Sequence, residues 1–416
     1  IKRTAKMNLK LSSSGLKNAS IAVTGSKSES NRLLILQALY PNLTITNVSN
    51  SDDTKVLQKA LQQNQGIVDI HHAGTAMRFL TAYYALKANT DVTLTGSKRM
   101  KERPMSILVD ALKELGAQIT YKTNDGFPPL LIKGITPEKT SVSLNANVSS
   151  QYISALMLVA ASLNSGLDIQ LKGRVTSVPY INMTLSLLNR VGIRGTFKNN
   201  SITIPPCQSI ADQTVVVESD WSSASYYYSL VALSKNAEIS LTSYRQESLQ
   251  GDSALKEIYT AFGVETLFSD NTLLLKKTSH KLQKHVEFDL SNTPDIAQTI
   301  AVTCLGLGIS CKLTGLHTLK IKETDRLTAL KTELYKLGGI TIITNDTLEL
   351  KVTPSVNRNA EIDTYNDHRM AMAFAPLALK TDLTINDAGV VSKSYPTFWE
   401  DMNSVGITTF NAEKGH

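Results

Sequence analysis

The chain reads as an α/β protein built from about six βαβαββ repeats grouped into a pair of domains, and three observations predict it. Helical stretches of two kinds alternate along the sequence: one kind is apolar nearly all round, and the other is amphipathic and often ends at a glycine. Two short alternating segments rich in β-branched residues follow the amphipathic kind. This order recurs over nearly the whole 416-residue chain.

The apolar helices begin at Arg32, Arg78, Tyr152, Ser222, Ile296 and Met370, and a helix without a polar face belongs in a core. The amphipathic helices begin at Met105, Ile181, Leu255 and Leu327, and glycine at the end of each lets the chain turn through the left-handed region. Strand pairs are expected at Gln118 and Leu130, at Arg194 and Ser201, and at Ile340 and Thr347. The first repeat breaks the pattern. Between its surface helix, which begins at Thr54, and Ala73 there are too few residues for a normal hairpin, so either a strand pair is missing or a neighbour supplies it.

Composition narrows the function. With 42% apolar and 19% charged residues the chain is an ordinary globular protein, and its net charge of +7 suits acidic ligands. The 43 basic residues are spread too evenly for a basic tail, so no nucleic-acid partner is expected. Cys207, Cys304 and Cys311 cannot form a disulfide framework, which predicts a reduced, cytoplasmic setting. The N-terminal stretch lacks the apolar core of a signal peptide, and no segment has the run of ~18 apolar residues of a membrane span.

Basic motifs recur at the front of the apolar helices. They are Lys27 to Arg32, Arg78, Arg99 to Arg103, Lys322 to Arg326, and His368 with Arg369. A helix start carries unpaired N–H groups and the positive end of the dipole, so each cation there is disfavoured by roughly 0.3–1 kcal/mol. A multiply charged anion docked at these helix starts would offset that cost.

Each motif also has a plainer reading. GSKSESNR, from Gly25 to Arg32, is a candidate phosphate cradle or a Ser-capped helix with solvated charges. AGTAMR, from Ala73 to Arg78, fits close approach of a ligand to backbone, or tight helix packing. Lys322 and Arg326 at i,i+4, with Glu323 three residues before Arg326, fit a surface ion-pair ladder. Asp295 begins a buried helix, where a carboxylate complements the dipole. Asn366 or Asp367 can cap the next helix, yet His368 and Arg369 then enter its first turn against the dipole, ahead of an apolar run, and need a partner. Ser149, Ser150, Gln151, Ser177 and Tyr180 add uncharged hydrogen-bonding groups. No Walker loop, dinucleotide fingerprint, H-x-x-x-H, C-x-x-C or G-x-S-x-G is present, so neither a cofactor nor a metal is expected.

Taken together and in this order, from about Gly25 to Pro396, GSKSESNR, AGTAMR, RMKERP, SSQ, KETDR and NDHRMAM resemble the EPSP synthase family of enolpyruvyl transferases. The resemblance implies two inside-out α/β domains, each of three βαβαββ units. One spans about 25–217 and binds shikimate phosphate; the other combines 1–24 with 218–416, with a hinge at about 24 and 217. It implies transfer of the enolpyruvyl group of phosphoenolpyruvate to the 5-hydroxyl of shikimate 3-phosphate, releasing phosphate, by a monomer without cofactor. Ser149, Ser150, Gln151, Ser177, Tyr180 and Arg32 would hold shikimate phosphate, with Lys27 and Ser28 close by. Lys27, Gly74, Arg103, Arg326, Arg369 and Lys393 would hold phosphoenolpyruvate, Lys322 being a further substrate contact. Asp295 would take the proton of the attacking hydroxyl and Glu323 would protonate the methylene carbon, while Lys27 and His368 stabilise charge or relay a proton.

His72, Phe79 and Thr318 depart from the family pattern, which commonly has Asn and Pro at the first two and, in some members, a substrate-contacting Asn at the third. The nearest rival is the related UDP-N-acetylglucosamine enolpyruvyl transferase, which typically has Lys-Asn in the first motif and a cysteine in a mobile loop. Here Lys27 is followed by Ser28, and no cysteine lies near RMKERP. A non-catalytic polyanion-binding protein on the same repeats is the rival from another class.

Overall fold

Alternation between buried helices and outward-facing sheets organises the computed structural model, which describes residues 7–145, 149–173, 175, 178–279, 281–352 and 355–412. The chain divides into two compact units, one of residues 25–217 and one of residues 1–24 with 218–416.

The second repeat shows the plan in full. Gln65–Asp69 and Asp91–Thr95 pair in parallel across the buried helix Gly74–Ala85, and the hairpin of Gln118–Tyr121 and Leu130–Lys133 adds antiparallel to the second strand. A crossover helix between parallel strands is what the chain's right-handed twist permits. The third repeat repeats this with Ser141–Asn145, Ser150–Ala160, Leu167–Lys172, Val178–Arg190, Thr196–Lys198 and Ser201–Ile204. Strict alternation of buried and exposed residues along Leu167–Lys172 shows one sheet face turned onto the helices and one onto solvent.

Among the described residues the irregular first repeat has no hairpin. Its surface helix Asp52–Ala60 runs almost directly into Gln65–Asp69, which belongs to the next sheet. Among the described residues Leu43–Thr46 pairs only with Gln213–Val216, which returns in parallel from the far end of the unit, so this sheet has two strands where the others have four.

In the other unit the same plan recurs three times, around the buried helices Trp221–Leu233, Ala297–Leu307 and His368–Phe374. Two of its sheets borrow a strand from the start of the chain: Ala19–Ile21 pairs with Glu238–Thr242, and Leu9–Ser13 lies between Leu383–Ile385 and Ile407–Asn411. This borrowing places the N-terminal residues in the unit otherwise made of the second half.

In each unit the apolar helices form the centre. Leu33, Ile35 and Leu36 of Lys27–Leu39, Leu80 of Gly74–Ala85 and Leu156 of Ser150–Ala160 have no measurable exposure, and burying such a side chain stabilises by roughly 1.5–3 kcal/mol. The polar starts of these helices are thereby held at one end of a rigid bundle. Among the described residues no helix is long and apolar enough to cross a membrane.

Two local expectations change. The predicted helix at Leu255 is a short α-turn, Leu255–Ile258, between 3-10 turns Gly251–Ala254 and Tyr259–Phe262; Leu255, Tyr259 and Phe262 are all fully buried, and Gly263 at φ +73° ends it. The segment Lys322–Asp325 precedes the helix Arg326–Lys336 instead of forming its first turn, because Asp325 caps that helix through Thr328 N at 3.1 Å. The i,i+4 surface ladder therefore does not form.

Candidate active site

In the unit of residues 25–217, Ser26 caps Lys27–Leu39 and Lys27 opens it, the ammonium ion pairing with Asp53 at 3.1 Å. Arg32, one turn further on, is buried. Its Nε donates to Thr184 Oγ1 at 2.7 Å, Nη1 to Ser28 O at 2.8 Å and Nη2 to Ser154 Oγ at 3.1 Å. Its Cζ lies 5.5 Å from the Phe79 ring centre and 5.9 Å from that of Tyr180. Burial pulls this guanidinium down to about 10, with Tyr180 and Glu29 opposing the shift, so it stays charged at neutral pH while hydroxyl and backbone oxygens take its hydrogen bonds.

The neighbouring helix starts are tied together. Gln151 Nε2 donates to Thr75 Oγ1 at 3.2 Å, linking SSQ to AGTAMR, and Ser149 Oγ caps Gln151 N at 3.4 Å. Ser150 is buried beside them, and Ser177 lies outside the described residues. Gly74 sits against the guanidinium of Arg103, and a side chain there would displace its Nη1 end from this position. The side chain of Arg103 makes no hydrogen bond or ion pair among the described residues, and its backbone N–H donates to Met100 O at 3.1 Å.

The other unit gathers more charge. Arg326, at 2% side-chain exposure, meets three carboxylates: Asp367 Oδ2 at 2.6 Å from Nε, Glu323 Oε2 at 2.7 Å from Nη2, and Asp295 Oδ1 at 2.8 Å from Nη1. Arg326 Nη2 also reaches Asp367 Oδ1 at 3.3 Å, which makes a bidentate pair. Asp367 is fully buried and also caps His368–Phe374 by accepting from Arg369 N at 2.9 Å. Burial alone would lower the Arg326 pKa, but the three carboxylates raise it above the usual guanidinium value.

Asp295 faces three cations. Lys322 Nζ is 3.6 Å from Oδ1, and Arg369 Nη2 is 3.4 Å from Oδ2 while its Nη1 donates to Asp295 O at 3.2 Å. Burial pushes this carboxyl up; Arg369, Lys322 and Arg326 together overcome that and hold it well below the ordinary carboxylate range. Opposite charges ~4 Å apart attract by about 4 kcal/mol at an effective dielectric of 20, which is enough to keep Asp295 ionised. His368 lies at 3% side-chain exposure with Nδ1 3.9 Å from Asp367 Oδ1, and Lys393 Nζ donates to Asn366 O at 2.5 Å. The hydroxyl of Thr318 is buried without a hydrogen-bond partner among the described residues.

Within this unit, then, Asp295, Lys322, Glu323, Arg326 and Arg369 form one network, with His368 beside it through Asp367. The residues that sequence reading passed over are mostly those that hold others: Asp53, Thr75, Ser154 and Thr184. Asp367 was visible only as a cap. Asp53 also opens a Ser-capped helix, and nothing local distinguishes a helix-start aspartate from a lysine partner. The structure corrects one premise as well: Lys27, Arg326 and Arg369 find counter-charges first in the chain's own carboxylates, leaving Arg103 and Lys393 without one among the described residues.

Two α/β units of three repeats each, with small polar residues and cations at the starts of buried helices, make up a protein suited to binding anionic ligands. The family model for EPSP synthase (3-phosphoshikimate 1-carboxyvinyltransferase) matches residues 57–402. The chain is 44% identical over 393 residues to the 3-phosphoshikimate 1-carboxyvinyltransferase of Bacteroides fragilis (strain YCH46), covering 94% of this chain and 95% of that protein. It is 36% identical over 421 residues to the enzyme of the same name from Shewanella pealeana, covering 93% and 97%. The solved EPSP synthase from Acinetobacter baumannii superposes with a TM-score of 0.78 at 19% identity, covering 97% of this chain and 100% of that one, a likeness of fold. The chain belongs to the EPSP synthase family and is a transferase of that family.

Proposed function

We propose that the protein transfers the carboxyvinyl group of phosphoenolpyruvate to the 5-hydroxyl of shikimate 3-phosphate, releasing phosphate, in aromatic amino-acid biosynthesis. The family membership supports the reaction, and one observation supports the chemistry: two carboxylates 28 positions apart, Asp295 and Glu323, converge on the single guanidinium of Arg326 at 2.8 and 2.7 Å. That arrangement offers a base and an acid side by side, as addition of a hydroxyl across a carbon–carbon double bond requires.

The substrates bring roughly five negative charges together, two phosphoryl groups and two carboxylates. Residues 25–217 would receive shikimate 3-phosphate through Ser149, Ser150, Gln151, Ser177, Tyr180 and Arg32, with Lys27 and Ser28. Arg103 and Lys393 are the cations best placed to accept a phosphoryl group, since no carboxylate neutralises either among the described residues. Arg326, Arg369, Lys27 and Gly74 complete the phosphoenolpyruvate set, and the chain crossings at 24–25 and 217–218 act as the hinge.

Asp295 begins as a weak base, because three cations stabilise its charge. When substrate anions take hydrogen bonds from Arg369 and Lys322, that stabilisation falls and the carboxylate becomes basic enough to accept the hydroxyl proton. The hydroxyl oxygen bonds to the central carbon of phosphoenolpyruvate while Glu323, having taken up a proton once the substrate anions draw Arg326 from it, delivers that proton to the methylene carbon. Charge on the resulting tetrahedral adduct is stabilised by Lys27, with His368 able to relay a proton. Glu323 then takes a proton back from the new methyl as the carbon–oxygen bond to phosphate breaks, and the departing phosphate carries off the proton held by Asp295, which leaves the enol ether. The protein would do this as a cytoplasmic monomer.

Phosphate release decides the matter. The protein mixed with phosphoenolpyruvate and shikimate 3-phosphate should release phosphate, and with UDP-N-acetylglucosamine in place of shikimate 3-phosphate it should not. No release from the first pair, or release only with the UDP sugar, overturns the assignment.

A further inference from the structure

Outside the groups already given a role, Asp252 is a buried ionisable side chain that touches this network. It sits at 4% exposure in the 3-10 turn Gly251–Ala254. Its Oδ2 accepts from Ser222 Oγ and its Oδ1 from Thr293 Oγ1, both in close hydrogen bonds. Each hydroxyl leads to a different part of the network. Ser222 Oγ accepts from Arg369 Nη2 at 3.2 Å. Thr293 immediately precedes the turn Pro294–Ile296 that carries Asp295. Arg369 closes the circuit by donating to the carbonyl and carboxylate of Asp295.

We propose that Asp252 is a positioning residue for the transfer reaction, orienting Arg369 through Ser222 and holding the Asp295 turn through Thr293. This rests on the reading above, in which Arg369 grips phosphoenolpyruvate and Asp295 is the base.

Hydrogen counting supports it. A guanidinium only donates, so Ser222 must receive from Arg369 and has one hydrogen left to give, which goes to Asp252. Thr293 gives its hydrogen to the other oxygen. An ionised carboxylate accepts both; an amide offers one oxygen and must turn its NH2 toward the other hydroxyl, reversing that link. The turn that presents Asp252 is itself anchored, because the Gln250 side chain accepts from Trp221 N and donates to Ser219 O, each at 2.9 Å. Both hydroxyls are therefore held against a fixed pair of carboxyl oxygens, and through them a substrate-binding guanidinium and a base keep their spacing.

Steady-state kinetics on four proteins test it. Ser222→Ala should raise the KM for phosphoenolpyruvate about tenfold with little change in kcat, the loss expected for one hydrogen bond to a charged group. Thr293→Val should lower kcat by about the same factor with the KM little changed. Asp252→Asn should show at least one of these changes in full, and the KM for shikimate 3-phosphate should stay within about twofold of wild type in all three. A residue that merely stabilised the fold would not split the two parameters. The proposal is overturned if Ser222→Ala and Thr293→Val move the same parameter, or if Asp252→Asn leaves both within twofold. Should Asp252→Asn fail to fold, the two hydroxyl variants decide alone. Wild-type protein without turnover would instead refute the reaction assigned above, so the two failures are distinct.

Discussion

Asp295 is the side chain on which opposing demands are heaviest. Burial penalises its charge, three cations favour it, and a base must still be able to take a proton. Asp295→Ala is expected to lower kcat by a factor of about 10²–10⁴ while substrate KM values change far less, since a general base acts in the transition state. Steady-state turnover measures it, and a variant with kcat within tenfold of wild type would remove Asp295 from the mechanism. At this scale the sequence was informative about residue types and weak about partners. Lys322, Glu323 and Arg326 could be singled out by spacing, but a surface ladder explained them equally well until the fold brought in Asp295 and Asp367 from positions about thirty and forty residues away. Arg32 shows the converse: its motif looked like a free cradle, and the structure binds it to Thr184 and Ser154 of two other helices.

Elements carry the stability that keeps such groups in place. Glu218 is buried just ahead of Trp221–Leu233 and accepts from Trp221 Nε1 at 2.7 Å, Arg245 N at 2.9 Å and Ser248 Oγ at 2.7 Å. Burial nonetheless raises its pKa, with those three hydrogen bonds opposing. A carboxyl whose folded pKa is raised contributes most below its unfolded pKa, and the contribution is lost as pH rises through the folded value. The stability of wild type relative to Glu218→Gln should therefore shrink as pH is raised from about 4.5 to about 7.5. Urea midpoints at the two pH values measure this, and a difference that grows with pH would contradict it. Elements were well marked in the sequence where a period was long. The six apolar helices and the hairpins at Gln118, Ser201 and Thr347 all occur. At Leu255 the buried Leu255, Tyr259 and Phe262 keep the i, i+4, i+7 spacing of a helix, and the surface element forms there as a short α-turn between 3-10 turns, ended by Gly263.

Across the whole molecule, the reaction demands that two sets of anions be bound at once. Shikimate 3-phosphate at about 100 times its Kd should stabilise the protein by about 2.7 kcal/mol, seen as a rise of several degrees in the thermal midpoint, and phosphoenolpyruvate added to that complex should raise it further. Arg103→Ala and Lys393→Ala should each abolish the second increment and keep the first, because these two cations await a phosphoryl group. Thermal shift assays report both steps, and an unchanged second increment in either variant would exclude that residue from phosphoenolpyruvate binding.

Repeat number, helix character and the family's signature motifs were set by the sequence alone, because they follow from local periodicity and from residue order. The missing hairpin could be suspected from length. Only the tertiary structure showed that Gln213–Val216 takes the place beside Leu43–Thr46, and that Leu9–Ser13 and Ala19–Ile21 complete sheets begun hundreds of residues later. Strand pairing and charge pairing depend on distance in space. A chain that returns on itself can bring Asp252, Thr293 and Ser222 to one point, and nothing in their sequence spacing reports that they meet.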